Sequence, residues 1–302
     1  MQVRHRYLSV LAALGLVLGL AGCNGTLDTS ASLIASATGV NRDLVQSGAD
    51  VVKSRPDKAL QTFTPEQEYY LGRTVAVNLL KRYPPYDDPP LTRYINLIGQ
   101  SLAQASDRPA TFAGYHFLVL DTEEINAFAA PGGLIFVSRG ILRLCQSEDE
   151  IAAVLAHEII HVQEQHGIKA IRKKYRDQAL LALGGAAVSS QVSGGAALRD
   201  LFNISVADVL TTLLEQGYSR KAERQADTIA VDLLTRVGYD PHASVRIQTT
   251  LQNRAQPDQP GFAKTHPAPE NRVAEIREAI GERDPVSVSG REQRFREALA
   301  GI

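Results

Sequence analysis

Along most of the chain apolar residues recur at helical spacing, and the pattern turns strand-like only between residues 115 and 138. Thr64-Pro65-Glu66-Gln67 supplies a cap, a proline at the first helical position and a capping-box glutamine, which predicts a helix to about Arg82. Prolines between Pro84 and Pro90 end it, and a second amphipathic helix runs from Leu91 to about Ala105. Tyr115–Leu120, Asn126–Ala129 and Leu134–Ser138 read as strands of a small sheet with a turn at Pro131-Gly132-Gly133. Beyond residue 200 the pattern is helical again: 200–236 in one or two pieces, His242–Arg254, Pro269–Ile280 and a short terminal helix over Arg291–Ala300, with a turn at Gly238–Pro241. No internal repeat or second domain is visible. The fold class is mainly α with a small β-sheet, an α+β domain.

One helical stretch carries chemistry. In Ser147–Gly167 a capping box opens the helix at Ser147 and Glu150, Gly167 offers a stop, and Ile151, Leu155, Ile159 and Val162 form an apolar stripe. Inside it lies His157-Glu158-Ile159-Ile160-His161. Histidines at i and i+4 stand one turn apart and can share one metal ion, while Glu158, next around the helix, can reach a water there without ligating. Zinc lowers the pKa of such a water to about 7, and Glu158 then takes its proton and returns it to a leaving amine. Both histidines lie roughly a third of a turn from the apolar stripe. That places them on a cleft rim rather than in the core.

Composition narrows the setting. With 44% hydrophobic and 22% charged residues the 302-residue chain can build a sizeable core. Its net charge is −1, and Arg172-Lys173-Lys174 is too short to track phosphates, so nucleic acid is excluded as a partner. Residues 1–22 read as an export signal, with Arg4 and Arg6 ahead of an apolar run from Leu8 to Leu20. Leu20-Ala21-Gly22-Cys23 resembles a bacterial lipobox, which implies cleavage before Cys23 and acyl chains on it; an ordinary cleaved signal or an uncleaved anchor is the alternative. Residues 23–61 are polar and weakly periodic, as a tether would be, ahead of a peptidase domain over 62–282 and a tail over 283–302. The only other cysteine, Cys145, reads as a small buried hydrophobe. Gln178–Leu198 is rich in Ala, Gly and Leu, but Gln191 and serines interrupt it, which weakens a membrane-span reading.

Two histidines leave a catalytic zinc one protein ligand short. Extrapolated along the helix, His166 falls about 180° from the metal side and Glu164 lies beyond His161, so neither converges on the ion. A metzincin is excluded, because Gly167 stands where its third histidine would be and Met1 is the only methionine. The best remaining candidate is Glu223-Arg224-Gln225-Ala226-Asp227, on a helix where Ala222, Ala226 and Ala230 allow a close helix approach. There Glu223 could ligate and Asp227 could accept a hydrogen bond from a ligand imidazole. The plainer alternative is a solvated charged face.

These residues resemble the gluzincin metalloendopeptidases, the family of HtpX, the CAAX prenyl proteases, BepA and LoiP. The likeness spans roughly Thr64–Ile280 and rests on four segments: Asn126-Ala127-Phe128-Ala129-x-Pro131-Gly132-Gly133, the His157–His161 run, Ser219-Arg220 ahead of Glu223 and Asp227, and Thr265-His266-Pro267 with Arg272. The resemblance implies a zincin-like domain with one zinc held by His157, His161 and Glu223, Glu158 as base, and Asp227, His266 and Arg272 at the active site. Substrate is expected to bind as an added strand along Asn126–Gly133, since main-chain pairing reads no side chains and suits a protease of unfolded sequences. The chain lacks a membrane helix pair of the HtpX kind and a following helical-repeat domain of the BepA kind, and its layout is most similar to LoiP.

The function so implied is zinc-dependent hydrolysis of misfolded or stalled envelope proteins by an outer-membrane lipoprotein facing the periplasm. Unfolded or misassembled envelope proteins would be its substrates and the outer-membrane assembly machinery a partner. A lipoprotein chaperone with a purely structural metal site is the rival from another class. His266 has three readings: a surface histidine, an oxyanion donor with Arg272, or a fourth ligand that caps the metal.

Overall fold

A computed structural model describes residues 63–174, 177, 211, 217–254, 262–266 and 271–302. Cys23, the export signal, the tether and Gln178–Leu198 lie outside the described residues, as does most of 200–219. Residues 63–171 and 204–302 form one compact unit; of the other, 1–62 and 172–203, only 172–174 and 177 are described, all four helical.

The elements are α1 (Pro65–Arg82), α2 (Pro89–Ala105), β1 (His116–Leu120), β2 (Ala127–Ala130), β3 (Leu134–Ser138), α3 (Arg139–Leu144), α4 (Glu148–Gln163), α5 (Arg220–Val237), α6 (Ala243–Arg254), α7 (Phe262–Thr265), α8 (Arg272–Ile280) and α9 (Arg291–Leu299). The capping box at Thr64 forms as expected. Helix α2 starts two residues before Leu91, because Asp88 caps it and the two prolines occupy its first turn, where a missing N–H costs nothing. Among the described residues no helix is long and apolar enough to cross a membrane.

The sheet order is β1-β3-β2, with β1 parallel and β2 antiparallel to β3. Leu91, Ile95, Ile98 and Leu102 of α2 pack with the sheet and with Ile151, Leu155 and Ile159 of α4 in one core. Gly72 of α1 lies so close to the β2–β3 turn that a Cβ there would meet the Pro131 carbonyl oxygen at 1.8 Å, and Gly132 turns the chain with φ +80°. The sheet is thereby held against α1.

Helix α4 is the centre of the unit, and every residue of it except Gln163 is buried. That overturns the expected cleft rim: His157 is 4% and His161 1% exposed. The apolar stripe meets the core as predicted, but α5, with Ala226 and Ala230 at the contact, closes over the other side. The helix also stops before Gly167. Glu164 is its C-cap, and Gln165 reverses the chain with φ +53°.

Candidate metal centre and active site

Four elements deliver side chains to one buried point. Helix α4 brings His157, Glu158 and His161; α5 brings Glu223 and Asp227; the turn after α7 brings His266; and α8 opens with Arg272. His157, His161, Glu223 and His266 each place one ligand atom within 4.8 Å of the others. Glu223 carboxylate oxygens lie 3.4 Å from His157 Nε2, 3.5 Å from His161 Nε2 and 3.2 Å from His266 Nδ1, and His266 Nδ1 lies 3.4 Å from His157 Nε2. Ligands about 2.0–2.1 Å from a tetrahedral ion stand roughly 3.3–3.4 Å apart. The His157 and His161 Nε2 atoms are closer, at 2.9 Å, while the other spacings and the imidazole and carboxylate donors fit zinc.

Glu158 is different. It is fully buried, neither carboxylate oxygen has a hydrogen-bond partner, and His266 Nε2 is 3.6 Å away. An orphaned buried carboxylate is costly unless the site uses it.

Residues 89–280 match peptidase family M48. The chain belongs to that family. It is 30% identical to the beta-barrel assembly-enhancing protease of Escherichia coli (strain K12) over 270 residues, 87% of this chain and 54% of that protein. A putative beta-barrel assembly-enhancing protease of Vibrio cholerae is 30% identical over 236 residues, covering 76% of this chain and 47% of that one. The mitochondrial metalloendopeptidase OMA1 of Schizosaccharomyces pombe is 35% identical over 161 residues, 52% and 44% of the two chains. The chain thus spans about half the length of these relatives.

Around this M48 centre the second layer is equally built. His157 Nδ1 lies 3.0 Å from Asp227 Oδ1, and Arg272, 1% exposed, grips Asp227 with bonds of 2.6 and 2.8 Å. At that distance the Asp227 carboxylate is an acceptor for a proton on His157 Nδ1, the contact by which an outer carboxylate orients a ligand imidazole. Burial alone would lower the His157 pKa, but the hydrogen bonds to Asp227 and Glu223 outweigh it and push it up to about 9. For His161 burial dominates, holding it well below the ordinary histidine value. Burial opposes ionisation of Glu223 and Asp227, yet the neighbouring imidazoles and Arg272 hold both below the usual carboxylate range, whereas burial raises Glu158.

The sheet residues sit beside the centre. The Ser138 N–H donates to the Asn126 carbonyl, so residues 126, 128 and 130 face β3, and Ala127 and Ala129 face the free edge of β2. That edge is covered by the chain's own groups. Tyr218 Oη donates to the Ala129 carbonyl at 3.1 Å, and His266 Nε2 lies 3.4 Å from the Ala127 carbonyl. Asn126 accepts from Thr265 Oγ1 at 3.0 Å, tying α7 to the sheet.

Two groups escape the sequence reading. Tyr218 stacks on the His161 ring with centroids 4.1 Å apart, and its only sequence signal is its place before the Ser219 cap. His166, expected on the far side of the helix, brings Nδ1 to 3.0 Å from His161 Nδ1, because the chain reverses at Gln165 instead of continuing as helix. Cys145 is buried as expected, and burial pushes its thiol well above the ordinary value.

Proposed function

We propose that this M48 member is a zinc metalloendopeptidase that hydrolyses misfolded or stalled proteins of the cell envelope, with His157, His161 and Glu223 as zinc ligands. Glu158 carries the reading: a fully buried carboxylate with no partner, placed between two imidazoles that meet a third donor at tetrahedral spacing. Zinc held there by His157, His161 and Glu223 would supply a Lewis acid that lowers the pKa of a water. Glu158 would be the base that takes a proton from water and returns it to the leaving amine; its raised pKa suits a group that must also donate. Asp227 holds the His157 tautomer, and Arg272 holds Asp227. Bound to two carboxylates, Arg272 positions rather than donates to an oxyanion. A chaperone with a structural metal has no use for an unpaired Glu158. Incubating an unfolded outer-membrane protein with the full chain and its Glu158→Gln form, with zinc measured in both, tests this; equal cleavage by the two ends the reading.

His266 acts as a fourth ligand that keeps water out until its turn moves. Its burial at 2% and its contacts with Glu223 and His157 support the cap over a surface histidine. Moving it also uncovers the Ala127 carbonyl, so one motion opens the metal and the strand edge to which substrate pairs along Asn126–Gly133. Ala129→Pro removes an outward N–H and should raise KM several-fold; an unchanged KM in a folded variant sinks strand pairing. Phe128 faces β3, so a proline there would test the sheet instead.

The setting is read from residues 20–23 and from the relatives' names. We read Cys23 as lipidated, and Asn24 behind it, rather than an aspartate, supports the outer membrane facing the periplasm by resemblance to bacterial sorting signals; the name of the assembly-enhancing relatives supports unfolded envelope proteins as substrates and the assembly machinery as a partner. Cys23→Ala should shift the protein from the membrane to the soluble fraction; retention on the membrane would overturn the anchor.

A further inference from the structure

His161 must turn Nε2 toward the metal, since that atom faces Glu223 and His157 Nε2. Its proton therefore sits on Nδ1 and needs an acceptor. Among the described residues no carboxylate does for His161 what Asp227 does for His157. The atom in place is His166 Nδ1, 3.0 Å away. Accepting there leaves the His166 proton on Nε2, which points at Gln225 Oε1 at 3.3 Å, and Gln225 Nε2 in turn donates to Glu164 Oε2 at 2.6 Å. Only one assignment of protons satisfies every link. It runs from the metal ligand through an imidazole and an amide to a carboxylate.

We propose that His166, with Gln225 and Glu164 behind it, is the positioning relay that fixes the tautomer and ring orientation of His161, and that zinc affinity depends on it. The backbone is bent to make this so. Gln165 takes a left-handed conformation, unusual for a residue with a Cβ, and its side chain donates to the buried Glu68, which also holds Arg108 at 2.9 Å. That reversal carries His166, 4% exposed, back beneath His161, while Tyr218 stacks on the ring face. The two ligand histidines are thus supported unequally: His157 directly by a carboxylate that Arg272 grips, His161 through a neutral relay ending on the helix C-cap.

The inference rests on the zinc-ligand reading above, and the experiment separates the two. Zinc affinity of the full chain is measured by competition with a chromophoric chelator for wild type, His161→Ala, His166→Phe, His166→Asn and Gln225→Leu, with the fold checked by circular dichroism. Loss of an outer-layer partner typically costs about 10–100-fold in metal affinity. His166→Phe, which keeps the ring and removes the acceptor, should fall in that range. In His166→Asn the amide oxygen stands near where Nδ1 stood, and affinity should return to within about threefold of wild type. Gln225→Leu should lose roughly three- to tenfold. Wild-type affinity in His166→Phe, or His166→Asn as weak as His166→Phe, overturns the relay while leaving the site intact. If His161→Ala binds zinc like wild type, the ligand reading falls and the relay with it. Should His166→Phe not fold, Gln225→Leu decides alone, and an unchanged affinity there rejects the proposal.

Discussion

The two ends of α4 each sit among buried acids and treat them in opposite ways. At the N-terminal end Glu148, Asp149 and Glu150 are 2%, 9% and 3% exposed, and each has donors. Glu148 takes Arg294 at 2.7 Å and Tyr94 at 3.1 Å, Asp149 takes Arg291 at 2.8 Å and the Asp240 N–H at 2.9 Å, and Glu150 takes the Gln146 N–H at 2.8 Å. Near the other end Glu158, Glu223 and Asp227 share one arginine and a group of imidazoles, and Glu158 has no hydrogen-bond partner. Acids at a helix start also oppose the macrodipole favourably, a benefit absent in mid-helix. Buried acids answered one by one by donors hold a fold together. Buried acids left short of protons are waiting for a metal and a water.

If that contrast is right, the metal-side residues should control chemistry and barely touch the fold. His161→Ala or Glu223→Gln should abolish stoichiometric zinc and with it all hydrolysis, as should a chelator on the wild type. Glu158→Gln should bind zinc normally yet lose about 10²–10⁴ in rate. Because the carboxylate has no partner to lose, this variant should melt no lower than wild type. A fall in Tm together with retained cleavage would make Glu158 a structural acid and erase the difference between the two ends.

His266→Ala sharpens the contrast from the other side. A capping histidine holds the competent state to a fraction of the population, so its removal should raise basal cleavage by roughly an order of magnitude if about one molecule in ten is open. Cobalt substituted for zinc reads the same event by its coordination spectrum. Identical spectra for wild type and variant reject the cap.

Much of this contrast is legible in the sequence. Spacing placed His157, Glu158 and His161, and the alanine stripe of α5 pointed to Glu223 and Asp227 as the facing pair. Periodicity misled where it assumed that a polar face meets solvent. Around α4 the polar face meets α5, the His266 turn and the sheet, a fact of tertiary packing that no single helix encodes. His166 was lost to a similar assumption, since one left-handed residue at Gln165 turned an extrapolated 180° into a direct contact. The short helices α3 and α7 were missed because four to six residues show too little period. The pairing of α9 with α4 is a match of arginines to acids more than 140 residues apart, beyond any local pattern.

That pairing gives the smallest effect and the cleanest control. Arg294 is about half exposed, with 54% of its side chain accessible, so solvent screens its bond to Glu148. Without it Glu148 keeps Tyr94 at 3.1 Å, Tyr239 at 3.4 Å and Arg291 at 3.7 Å, so no orphaned carboxylate results. Arg294→Ala should therefore cost only about 1 kcal/mol, a shift of a few degrees in Tm. The difference should narrow as salt rises from about 0.1 to 1 M, where the Debye length falls from roughly 10 to 3 Å. Hydrolysis per folded molecule and zinc content should stay at wild-type levels, because Glu148 lies nine residues, about 13 Å of helix rise, from His157. A reduced kcat with Tm unchanged would mean that the structural end of α4 reaches the chemical end, and the two could no longer be read as separate uses of buried charge.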